Sequence, residues 1–167
     1  MLINKHEDPI GSALLDFYQT SEDTNIQVEM DIAEKDTLAP SYFFRSFDEC
    51  PQLERVALQQ ASGKVLDVGA GAGSHSLYLQ QNGMDVTAID VSPHSVSVMQ
   101  KRGLSKVKLA DFFEFNEGAF DTLLFLMNGI GLVKTLDGFD AFFKKAKTLL
   151  APNGQILLDS SDLIYMY

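Results

Sequence analysis

Thiols, basic side chains and long apolar runs are all scarce in this chain of 167 residues, and each scarcity removes a class of protein. Cys50 is the sole cysteine, so the sequence offers neither an intrachain disulfide nor a pair of zinc thiolates, and a reducing compartment such as the cytoplasm suits it. The three histidines, His6, His75 and His94, are not spaced as zinc ligands. Thirteen Lys and Arg stand against 23 Asp and Glu, a formal charge of -10 that repels nucleic-acid duplexes and anionic membranes. Nucleic acid is therefore a disfavoured partner, and Lys144, Lys145 and Lys147 read as a solvated helix face. No stretch approaches the roughly 18 continuous apolar residues of a membrane span, and Met1 to His6 does not have the form of a secretory signal. The GxxxxGK[ST] phosphate loop and the GxSxG nucleophile elbow are missing as well, which counts against nucleotide triphosphates and serine hydrolysis.

What remains is a chain 46% hydrophobic and 22% charged, the composition of a globular domain with a substantial core. Its acidity is uneven. Residues 1–62 hold 12 acidic and four basic groups, whereas residues 63–167 hold 11 and nine. The first part reads as an N-terminal acidic, helical cap extension and the second, 63–167, as an α/β core. Within the extension, residues 14–19 form a short helical face, and residues 21–40 read as a partly ordered linker with one strand at 26–30. Residues 41–61 place Leu53, Val56, Ala57 and Leu58 on a helical packing face. Tyr42, Phe43, Phe44, Arg45 and Phe47 are candidates for a lid, with core anchoring as the competing role for the aromatics.

From Lys64 the pattern becomes regular. Short apolar runs at 65–68, 86–89, 107–109, 121–127 and 155–159 alternate with helical segments at 74–82, 93–102 and 137–150. Ser92-Pro93 supplies a helix cap and a first-turn proline, and Gly83 and Gly103 end helices. Repeated β-α units predict an α/β, doubly wound, mostly parallel open sheet of Rossmann-like type with helices on both faces. Such sheets bind ligands at the carboxyl ends of their strands. Those ends carry Asp67, Asp90, Asp111, Asn128 and the polar segment 159–162.

The turn after the first core strand is GAGAG, residues 69–73, where glycines permit positive φ and close approach of a ligand. A dinucleotide fingerprint needs a third glycine where Ser74 stands, and the carboxylate of Asp67 just before the turn repels a pyrophosphate. These points favour a cofactor with a sugar and a positive centre. Asp90 is placed to accept hydrogen bonds from ribose hydroxyls, a role it would also have toward NAD.

Taken in order, VLDVGAGAG (65–73), AIDVS (88–92), KLAD (108–111), FDTLLFLMNGIG (120–131) and LLAPNGQILLD (149–159) resemble the class I S-adenosylmethionine-dependent methyltransferases over about residues 63–162. The resemblance implies S-adenosyl-L-methionine as cofactor and S-adenosyl-L-homocysteine as product. It implies that Asp67, with Gly69, Ala70, Gly71 and Gly73 beside it, orients the methionine portion. Asp90 would hold the ribose hydroxyls, Val91 the adenine face, and Asp111 with Phe112 the adenine border. Asn128 and Gly129 would sit where cofactor and acceptor meet, Asn128 being a catalytic candidate together with His75, a base or substrate contact at the start of the following helix. Ser160, Ser161 and Asp162 would face the acceptor.

Two departures shape the expectation. MNGIG (127–131) is not the N/D-PP-Y/F signature of amino-group methylation in nucleic acids or glutamine, so a small-molecule acceptor is expected. Members of the family usually carry seven strands, the last two a hairpin with one antiparallel strand, yet this sequence ends at LIYMY (163–167). A truncated core without its C-terminal antiparallel hairpin is expected, with a sheet edge open to self-association. An NAD-linked oxidoreductase and a non-catalytic methyltransferase-like scaffold are the competing readings.

Overall fold

The computed structural model describes residues 1–30 and 33–160. Ser161, Asp162 and residues 163–167 lie outside the described residues. The chain opens with helix α1 (Pro9–Thr20), capped by the Asp8 carboxylate, which accepts from the Gly11 amide at 2.9 Å, and started by Pro9. Strands β1 (Ile26–Met30) and β2 (Ala33–Leu38) then pair antiparallel. The sequence reading had only the first of these strands; AEKDTL carries too few apolar residues to announce the second. Two 3-10 turns, Pro40–Phe44 and Phe47–Glu49, lead into α2 (Gln52–Gln60).

The predicted packing face of α2 needs correction. Leu53 and Val56 are exposed, at 60% and 41%, and the helix buries Leu58 and, unexpectedly, Glu54. An apolar count could not see this rotation, because an ion pair draws the helix's carboxylate inward.

The core then follows the predicted alternation: β3 (Lys64–Val68), α3 (Ser74–Gln81), β4 (Asp85–Asp90), α4 (Pro93–Lys101), β5 (Val107–Leu109), β6 (Phe120–Phe125), α5 (Phe139–Leu149) and β7 (Leu150–Leu158). Ser92 caps α4 as its sequence predicts, its hydroxyl accepting from the Ser95 amide at 2.9 Å. The strands form one parallel sheet in the order β5-β4-β3-β6-β7. Pairing of β7 with β6 jumps from Phe120↔Leu150 to Thr122↔Gln155, so the turn expected at 151–154 is an irregularity within the strand.

Side chains of one strand alternate between two cores, as a pleated sheet covered on both faces requires. Leu66, Val68, Leu123 and Phe125 join Phe142, Ala146 and Leu149 of α5. Val65, Val86 and Leu124 join Leu58 and Ala61 from the end of α2 and Leu79 of α3. The chain leaves β3 toward β4 and β5 on one side and returns to β6 and β7 on the other. The order therefore reverses between β3 and β6, and a crevice opens at their carboxyl ends.

Phe142 is fully buried, with ring centroids 5.5 Å from Phe112 and 5.1 Å from Phe125. Phe142→Ala is expected to cost about 3–5 kcal/mol of folding stability, read as a lowered midpoint in urea denaturation.

Candidate functional site

At the end of β3 the backbone turns through Gly69, whose φ of +71° favours glycine. The amides of Gly69 and Ala70 donate to the Ile89 carbonyl at 2.9 and 3.2 Å, which ties the turn to β4. A β-carbon on Gly69 would meet nothing within 4 Å, so the turn faces open space. Gly73 differs. At φ +81° it begins α3, and a β-carbon there would come within 2.7 and 2.8 Å of Leu104 and Met99, which makes it a packing position.

The space beside Gly69 is a cavity of about 600 Å³. Its floor is Asp67 and Gly69 to Gly71, and Met127, Asn128 and Gly129 after β6 form a second side. The extension closes it from above with Tyr42, Phe43, Arg45, Cys50 and Glu54.

Each strand-end carboxylate is engaged. Asp67, 2% exposed, accepts from the Ser76 hydroxyl at 2.6 Å; burial pushes its pKa up, against the lowering effects of the His75 charge and of hydrogen bonds from Ser76. Asp90 accepts from the amides of Gly71 at 2.8 Å and Ser92 at 2.9 Å. Its pKa is raised to about 6 by burial, with Asp8 and Asp67 adding repulsion and the two amides acting the other way. Asp111 accepts from the Phe113 amide and pairs with the Met1 amino group, and these contacts hold its pKa low against its own partial burial. Asp159, at the end of β7, takes the amides of Met127 at 2.9 Å and Asn128 at 2.7 Å. Those two residues have φ of 56° and 60°, consecutive left-handed positions that the carboxylate braces.

The cavity roof carries an ion cluster. Arg45 donates through one terminal nitrogen to both oxygens of Glu54, at 2.6 Å each, and the His75 Nε2 lies 2.7 Å from Glu54 Oε2. Burial pushes the Glu54 carboxyl up, but the hydrogen bonds and charges of His75 and Arg45 bring it below the usual range. For His75, burial opposes the charged ring, yet hydrogen bonds to Cys50 and Glu54 and the charges of Asp67 and Glu54 outweigh it and raise the pKa to about 9. The guanidinium of Arg45 stacks on Tyr42, 3.6 Å from the ring centroid, while its buried Nε has no hydrogen-bond partner among the described residues.

Residues 66–158 match the family profile described as a methyltransferase domain. The chain belongs to this methyltransferase family. Over its whole length it is similar to the SAM-dependent methyltransferase from Bacteroides fragilis crystallised in complex with S-adenosyl-L-homocysteine, at 42% identity and a TM-score of 0.94, covering 70% of that chain. It is 28% identical to the ubiquinone biosynthesis O-methyltransferase of Xanthomonas euvesicatoria over 111 residues, which are 62% of this chain and 45% of that protein. Bacillus subtilis YqeM is 29% identical over 103 residues, 58% of this chain and 42% of that one. The chain thus spans less than half the length of these two curated relatives. CalS10, an amino pentose methyltransferase from Micromonospora echinaspora, shares the fold at a TM-score of 0.55 and 22% identity, covering 68% of this chain and 49% of its own.

Within this methyltransferase domain, the cavity brings together Asp67, Gly69, Ala70, Gly71, His75, Asn128 and Gly129 of the residues singled out by sequence. It does not reach Gly73, Asp90, Val91, Asp111 or Phe112. Phe112, expected at the adenine border, is 4% exposed and packs against Phe125 and Phe142. The Val91 carbonyl accepts from the Ile3 amide, so the first residues of the chain lie along the edge where adenine was expected. Of the lid candidates, Tyr42, Phe43 and Arg45 line the cavity; Phe44 packs on Phe17 and Phe47 stacks on Tyr78. Asp159 and Ser160, from the strand-end segment 159–162 named by the sequence, also line the cavity, whereas Cys50 and Glu54 escaped the sequence reading as site residues.

The His75 pKa, raised from 6.5 to about 9, makes the folded protein hold this proton more tightly than the unfolded chain. The stability it contributes is complete below about pH 6.5 and lost as pH rises through about 9. Ring titration by NMR is expected to show a midpoint near 9, falling toward 6.5 in Glu54→Gln.

Proposed function

We propose that this chain transfers a methyl group from S-adenosyl-L-methionine to a small-molecule acceptor, with S-adenosyl-L-homocysteine as product. The observation that carries the reading is the open cradle over Gly69, floored by Asp67, in a chain 42% identical over its length to a methyltransferase crystallised with the product. The cofactor supplies an activated methyl on a sulfonium and its own leaving group. The protein's task is then to hold, orient and desolvate.

Asp90 has one amide on each carboxylate oxygen, which leaves lone pairs for two hydroxyl donors. Its raised pKa means that the buried carboxylate is under-solvated, and ribose hydroxyls offset that cost. Arg45 and a protonated His75 present positive charge toward the cavity, suited to the carboxylate of an amino-acid moiety. Since that ring already carries its proton at neutral pH, His75 serves as a contact rather than a base. The clamped turn at Met127 and Asn128 fixes the wall on the acceptor side. For adenine to reach Val91 and Asp111, the contacts of Met1 and Ile3 give way.

In this reading residues 1–62 are a cap on the cofactor core at 63–167. Among the described residues β7 has a strand neighbour only on its β6 side. That edge suits either a further strand or a second copy. No helix among the described residues is long and apolar enough to cross a membrane.

Calorimetry with S-adenosylmethionine is expected to show saturable binding, weakened about tenfold or more by Asp90→Ala, with NAD giving no comparable signal. Affinity should fall as pH drops through about 6, where Asp90 gains its proton. Folded protein that binds NAD but not S-adenosylmethionine would overturn the proposal.

A further inference from the structure

Cys50, Glu54 and His75 bring one sulfur, one carboxylate oxygen and one imidazole nitrogen within 4.8 Å of one another. We propose that these three residues form a binding site for a divalent cation of the zinc class, opening on the cavity. The donor set is chemically matched to such an ion: thiolate, carboxylate and imidazole are its usual protein ligands. Three protein ligands with one position left to water make an open site. The fourth position is available because all three residues line the cavity, which also gives the ion a way in.

The geometry needs little adjustment. Donors on a tetrahedral zinc stand roughly 3.3–3.6 Å apart; the three donors all lie within 4.8 Å of one another, and the His75–Glu54 pair, now at 2.7 Å, opens to admit the ion. Cys50 precedes α2 and Glu54 lies in its first turn, four residues on, while His75 comes from the first turn of α3. Two ligands from one short stretch and a third from a remote element therefore converge on a single point. Orienting contacts are already built. Arg45 holds both Glu54 oxygens and can keep one when the other turns to the ion; the Cys50 thiol, which donates to the Ser46 carbonyl at 3.4 Å, gives up that bond with its proton. On binding, the ion takes the place of the thiol proton and of the proton between His75 Nε2 and Glu54. Two positive charges replace two, and the cluster's net charge is unchanged.

Sequence spacing gave no zinc motif, because the ligands are separated by three and by 20 intervening residues and one is a glutamate. The site shares His75, Arg45 and the cavity with the contacts proposed for the cofactor, and its test reads metal binding alone, whether or not the chain transfers a methyl group.

Titration with Co²⁺ tests it. Cys50 is the chain's sole thiol, so any thiolate-to-cobalt charge-transfer absorption comes from this residue. One equivalent of Co²⁺ is expected to develop that band together with the intense visible bands of a tetrahedral ion, and Zn²⁺ to bleach both. Cys50→Ser should abolish the charge-transfer band, and Glu54→Gln and His75→Gln should weaken Co²⁺ binding about tenfold or more. Circular dichroism identifies variants that remain folded. Failure of the wild-type chain to bind Co²⁺, or binding with only the weak spectrum of an octahedral oxygen site, overturns the proposal. The wild-type result stands even if a variant does not fold.

Discussion

A carboxylate buried under the cap, Glu54, holds the extension to the sheet. It is 5% exposed and receives Arg45 from its own side and His75 from the first turn of α3. Removing one partner of such a buried pair costs about 3–5 kcal/mol, because the charge left behind is neither solvated nor neutralised. Helix α2 is consequently locked in the rotation that turns Glu54 inward and leaves Leu53 outside. From that rotation follow the position of Arg45, the closeness of Cys50 to His75 and the existence of a roof over the glycine turn.

Beneath the roof one device repeats. Asp67 takes the Ser76 hydroxyl, Asp90 takes the amides of Gly71 and Ser92, and Asp159 takes those of Met127 and Asn128. Each carboxylate sits just where a parallel strand ends and its backbone donors would otherwise lack partners. The same carboxylates that stand at the strand ends also fasten the turns beside them.

This division explains what the sequence could and could not reveal. The β-α units of residues 64–158 were legible because apolar runs such as TLLF alternate with glycine, Ser-Pro and helical periodicity, and each of the five parallel strands contains its predicted run or most of it, β7 starting five residues early. The carboxylates at the strand ends were legible for the same reason. The extension was not. Its order comes from a polar hairpin, two 3-10 turns and an ion pair spanning 21 positions, none of which leaves a periodic trace. Phe112 shows the opposite error: its motif position suggested a ligand contact, whereas the side chain completes an aromatic cluster with Phe125 and Phe142.

The unpartnered Nε of Arg45 has a consequence for selectivity. Its N–H is desolvated in the free protein and holds no hydrogen bond among the described residues. A molecule that offers an acceptor there relieves a penalty of about 1–3 kcal/mol, while an isostere without one leaves it in place. Two compounds of equal shape and equal apolar area are thus separated by a factor of roughly ten to a hundred through a single absent lone pair.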